Sequence, residues 1–185
     1  MSGPNPPTDS ILVVRAGWGQ SEQGIVGCED HGESGVILHK VIPERCRDIM
    51  TKDPACCLAT DSTAKAAQVM MEHDVGILPV VESGQDKNLL GVVTDRDLAV
   101  TVVAHSQDPS FTSVDSIMSR SPIVCSPDDH YEKVLHIMER RQIRRVPVVD
   151  HSGRIVGMVS QADIALRVGD TKRTGEVVKQ ISRPA

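Results

Sequence analysis

The chain has 185 residues, 39% hydrophobic and 24% charged, which suits a globular protein holding one compact domain or two small ones. Only Trp18, Phe111 and Tyr131 are aromatic and the formal net charge is −5, so nucleic acid is not expected as partner: bases need stacking platforms and phosphates a basic surface. No apolar run nears the ~20 residues that cross a bilayer, the Pro-rich start lacks a secretory signal pattern, and five cysteines fit no disulfide framework. No membrane association and a reducing cytoplasmic setting are the expectations.

In chain order, residues 1–44 form a Pro-rich and then Gly-rich N-terminal tail, largely irregular, with short apolar runs at 11–14 and 36–38. A short apolar strand is expected at 55–60. Asp61-Ser62-Thr63 then caps a helix whose Ala66, Ala67, Met70 and Met71 recur at helical spacing. Strands follow at 77–81 and 89–93, and Thr94 opens a helix to about Ala104. The second half reads alike. A strand is expected at 123–125, and Pro127-Asp128-Asp129 starts a helix with Val134, Leu135 and Met138 inward. Strands at 145–149 and 155–159 flank the turn Asp150-His151-Ser152-Gly153, and Ser160 opens a closing helix. A short helix is expected around 176–181.

The two halves are one pattern written twice. Met50 and Pro79 stand 29 positions apart, as do Met118 and Pro147, and at the same offset Cys57 aligns with Cys125, Asp61 with Asp129 and Lys65 with Lys133. An internal repeat constrains architecture before any site is considered. Residues 45–107 and 112–168 are the two units, with 169–185 as a C-terminal tail.

The motif Gly91-x-x-Thr94-x-x-Asp97 has its echo in Gly157-x-x-Ser160-x-x-Asp163, each between a strand and a helix. Singly, such a pattern is a capping box, in which hydroxyl and acid satisfy orphan amides. Its second reading is a ligand site, where a helix start and hydroxyl meet phosphate and a carboxylate meets a ribose diol. Recurrence at equal spacing, each time downstream of a Pro-Val-Val strand, favours the second reading over chance.

These paired runs resemble tandem cystathionine-β-synthase (CBS) domains, the Bateman module, and in particular the small stand-alone bacterial type; the resemblance covers about residues 45–168. It implies an α+β fold of two βαββα repeats packed as a pseudo-two-fold pair, usually assembled as a homodimer. It further implies a non-catalytic regulatory role, with an adenosyl small molecule (AMP, ADP or ATP foremost, or S-adenosylmethionine) as regulatory ligand and no obligatory cofactor. The effector protein that would respond is unknown.

Carried over by position, one cleft would use Ser160 near phosphate, Asp163 on ribose, Arg144 and Arg145 before the Pro-Val-Val strand, and Thr51 with the backbone near Cys56 around the base. Its mate would use Thr94, Asp97, Ser119, Ile77 and the backbone near Val124, with Arg96 as its cation. Gly76 and Ile77 occupy the positions matching Arg144 and Arg145, so this second cleft is expected to lack the guanidinium clamp and bind phosphate less tightly. A competing reading is an interaction scaffold with empty or vestigial clefts. Cys28, His31, His39 and Cys46 do not match a common zinc spacing, and no metal site is expected. No catalytic motif occurs, so no enzyme activity is expected.

Overall fold

Each of the two sheets is completed by a strand from the other repeat. The computed structural model describes residues 44–167 and the helical backbone positions Gly175 and Lys179. The expected tail at 1–44, but for Glu44, and most of the helix expected at 176–181 lie outside the described residues. The elements are α1 (Cys46–Ile49), β1 (Thr51–Lys52), β2 (Cys57–Leu58), α2 (Thr63–Glu72), β3 (Ile77–Val81) and β4 (Leu89–Thr94), then α3 (Asp95–Asp97) running into a π-helical turn, Leu98–Val103. A 3-10 turn, Val114–Ser116, leads to β5 (Ser119–Arg120), α4 (Tyr131–Arg141), β6 (Arg145–Val149), β7 (Ile155–Ser160) and α5 (Gln161–Arg167). One sheet has the order β2-β3-β4-β5 and the other β1-β7-β6.

The order shows the exchange. β1, which leads the first repeat, pairs antiparallel with β7 of the second, Thr51 opposite Met158. β5, which leads the second, pairs with β4 of the first, Ser119 opposite Val92. The cores follow the same rule. Cys46, Ile49 and Met50 are buried among Cys125, Val134, Met138, Val148 and Ile164, while Val114 and Met118 are buried among Cys57, Ala66, Leu78, Val80 and Val93. Backbone bonds repeat the symmetry: Cys46 N–H donates to Asp129 O at 2.9 Å, and Val114 N–H donates to Asp61 O at 2.9 Å.

The two motif glycines make the crossing possible. A Cβ on Gly91 would stand 2.7 Å from the Ser119 carbonyl oxygen; one on Gly157 would overlap the Met50 thioether and lie 3.1 Å from the Thr51 carbonyl oxygen. A side chain would collide with backbone at Gly91 and displace Met50 at Gly157, so both positions favour glycine where the exchanged strand passes.

Four expected elements differ. The strand at 55–60 shrinks to Cys57–Leu58, and that at 123–125 to a single parallel bridge between Cys125 and Val148. Prolines set this limit. A longer parallel ladder would need residue 79 or 147 to donate its N–H to the carbonyl of 55 or 123, and Pro79 and Pro147 have none. The second long helix begins at Tyr131, not at Pro127, because Asp129 folds back to accept from Ser126 N–H at 2.8 Å and Lys133 Nζ at 2.8 Å. The helix from Thr94 widens to π geometry over Leu98–Val103, where the β-branched run Val100-Thr101-Val102-Val103 crowds an α-helical turn.

Candidate functional site

Both repeats build the same hydrogen-bonded box at the end of their last strand. Thr94 Oγ1 donates to Asp97 Oδ2 at 2.7 Å, Thr94 N–H donates to the same oxygen at 2.9 Å, and Asp97 N–H returns to Thr94 Oγ1 at 3.2 Å. Ser160 Oγ and N–H reach Asp163 Oδ2 at 2.5 and 2.8 Å, and Asp163 N–H returns to Ser160 Oγ at 3.1 Å. The capping function is therefore real. It occupies one carboxylate oxygen. On Asp163 the other, Oδ1, has only Arg167, at 3.9 Å, among the described residues. Each box is tethered to the opening of the neighbouring strand, Asp95 N–H to Gly76 O at 3.1 Å and Gln161 N–H to Arg144 O at 3.0 Å.

The Ser160–Asp163 box opens on a cavity of about 350 Å³ that Thr51 and Arg145 also line. Asp53, His73, Val75, Ile77 and Met158 complete it, and of these only Ile77 was expected at either cleft. Met158 faces Thr51 across the exchanged pairing, so its place depends on the β1–β7 ladder. Asp53 carries a left-handed backbone, φ 48°, and forms an ion pair with Lys87 that shields the cavity rim from its charge. Arg144 is absent here. It lines an adjoining hollow of about 390 Å³ with Arg145, Ser160 and Gln161. Cys56 lines neither cavity: its thiol donates to Pro54 O at 3.2 Å, and Pro54 and Ala55 present the wall instead.

The Thr94–Asp97 box opens on a larger cleft of about 780 Å³, which Ile77, Arg96 and Ser119 also line. Val124 does not reach it; Ile123 does. Beyond Arg96, this cleft has guanidinium groups that matching by position assigned to its mate. Arg144 and Arg145 line it, joined by Arg141 from the end of α4. The reason is tertiary: the openings of β3 and β6, Gly76-Ile77 and Arg144-Arg145, border one cleft, so the two strands share their side chains. A Cβ on Gly76 would meet Asp95 Oδ2 at 2.8 Å, the end of a side chain that can turn away. Arg144 and Arg145 are exposed and form no ion pair among the described residues, which leaves their donors for an anion. Among the described residues, no group of three or more His, Cys, Asp or Glu could hold a metal ion, and no helix is long and apolar enough to cross a membrane. Cys46 is buried in the core, and the other three residues of the zinc-spacing test lie outside the described residues.

Exchanged lead strands, duplicated boxes and paired clefts define a tandem-repeat α+β fold. The CBS domain profile matches residues 46–103 and 114–170, and the chain belongs to the CBS domain family. Hypoxic response protein 1 of Mycobacterium tuberculosis is 37% identical over 119 residues, which is 64% of this chain and 81% of that protein. A crystal structure of Hypoxic Response Protein I with two coordinated zinc ions superposes with a TM-score of 0.59 at 36% identity, over 65% of this chain and 96% of that one. The CBS domain pair of protein MJ0100, solved with 5′-methylthioadenosine and S-adenosyl-L-methionine, gives a TM-score of 0.58 at 30% identity over the same two shares.

Proposed function

We propose that the chain is a non-catalytic regulatory module whose two clefts bind adenosyl ligands, with AMP, ADP or ATP preferred. The observation that carries this reading is the pair of boxes, each with one carboxylate oxygen in the cap and each on a cavity that its aspartate and at least one arginine line. A carboxylate at that place accepts from vicinal ribose hydroxyls, and the guanidinium groups take phosphate. The adenosyl ligands of the MJ0100 pair support the base and ribose half of the assignment. Arg96, Arg141, Arg144 and Arg145 around the larger cleft favour a phosphorylated ligand there. A homodimer would bury the exposed apolar side chains of Met71, Val100, Val103 and Leu166, and an effector protein would read the liganded state. A ligand acts on such a module only through different affinities for its arrangements.

Thermal unfolding against AMP, ADP, ATP, NADH and S-adenosylmethionine tests the reading. A ligand at about 100 times its dissociation constant stabilises by about 2.7 kcal/mol, an upward shift of roughly 5–10 °C at this size. Asp163→Asn and Asp97→Asn keep an oxygen for the cap and place an amide toward the ribose, so each is expected to weaken binding at its own cleft while folding normally. Absence of a shift with every ligand would replace this reading with the interaction scaffold.

A further inference from the structure

We propose that Cys46 and Cys125 form a reversible disulfide, with a hydroperoxide as oxidant, that fastens the exchanged helix α1 to the core of the second repeat. Both thiols are buried, at 0% and 2% exposure, in the same apolar cluster, close enough for each to influence the other. They come from opposite sides of the exchange. Cys46 opens α1, ahead of the first repeat, while Cys125 is the bridge residue beside β6. Tertiary structure alone unites them across 79 positions of chain.

Packing does not require the second thiol. At the matching place in the other core, Cys57 meets Val114, so a valine serves where Cys46 stands. A buried lone cysteine acts as a small apolar residue; two in contact are a redox pair. Their chemistry is divided. Contact with Cys125 holds the Cys46 thiol below its ordinary range, against the opposing push of burial. Contact with Cys46 and burial push the Cys125 thiol up, and it donates to the Pro147 carbonyl oxygen at 3.7 Å. Cys46 rides on α1, the single turn that undocks, and so meets oxidant first as the attacking sulfur, with Cys125 the resolving one.

The step balances. The Cys46 thiolate attacks the distal oxygen of the hydroperoxide, the O–O bond breaks, and the remaining alkoxide leaves as alcohol with the Cys46 proton. Cys125 sulfur then attacks the sulfenic sulfur, the S–O bond breaks, and water leaves with the Cys125 proton. Two thiols are oxidised and one peroxide is reduced. Access comes from undocking α1, a single turn held by Cys46 N–H on Asp129 O and Arg47 N–H on Pro127 O. Closure fixes α1, and through Met50 it fixes β1. The disulfide forms whether or not the clefts hold a ligand.

The full chain, reduced and then treated with hydrogen peroxide, tests this by intact mass and non-reducing peptide mapping. The expected product is a monomer lighter by two hydrogens, linked between Cys46 and Cys125, with two of the five thiols lost. Its melting temperature should rise and its α1 amides exchange more slowly, with both effects reversed by dithiothreitol. Cys46→Val, which copies Val114, should fold and lose the link, while Cys56→Ser should keep it. If Cys46 and Cys125 of the treated wild type still alkylate after unfolding, or if oxidation only joins chains through other cysteines, the proposal fails.

Discussion

Gly91 and Gly157 occupy equivalent places but are not equally sensitive to substitution. Beside Gly91 the nearest obstacle is backbone, the Ser119 carbonyl oxygen, which cannot move without shifting β5. Beside Gly157 it is chiefly the flexible end of Met50. Gly91→Ala is therefore expected to destabilise by about 1–3 kcal/mol and Gly157→Ala by less, read from urea denaturation midpoints. Asp129 carries a second residue-scale prediction. Its partial burial pushes the carboxyl up, but the Lys133 ammonium and the Ser126 N–H outweigh that and hold it below the ordinary value of 3.8. A depressed folded value means that its stabilising contribution is complete above the unfolded value and is lost as pH falls through the folded one. Acid titration of the melting temperature should be flatter in Asp129→Asn, with wild type and variant converging at the acid end.

At the scale of elements, the long strands and the boxes could be read from local pattern, because apolar periodicity and hydroxyl–acid spacing are local properties. β3 and β6 stand where the apolar runs at 77–81 and 145–149 place them. The short strands could not be read this way, since a two-residue strand has no periodicity, and the length of β2 is decided by the proline in its neighbour β3. α1 is likewise too short to announce itself. Its weight is large nonetheless: Ile49 is fully buried in the core of the other repeat, and Ile49→Ala is expected to cost about 2–5 kcal/mol by denaturant titration.

On the scale of the molecule, exchange makes each repeat dependent on the other. Removing residues 44–52 would strip the second core of Cys46, Ile49 and Met50 and leave the outer edge of β7 unpaired. The truncated chain is expected to lose its sharp thermal transition by circular dichroism. The intact repeats should melt in one step, because neither core is complete without the other's lead segment. Two separate transitions would contradict that coupling.

Sequence alone determined the duplication, the order of the long elements, the carboxylate and hydroxyl of each box, and the likeness to CBS pairs, because all of these lie in spacing along one chain. It could not decide which sheet receives which lead strand. Met50-Thr51 and Met118-Ser119 are near copies, as are the Gly91 and Gly157 strands that receive them, so the local pattern fits either pairing. Nor could it place Arg144 and Arg145 on the larger cleft, or bring Cys46 against Cys125. Those contacts arise where the two repeats pack together, and only that packing sets the distances between residues so far apart in the chain.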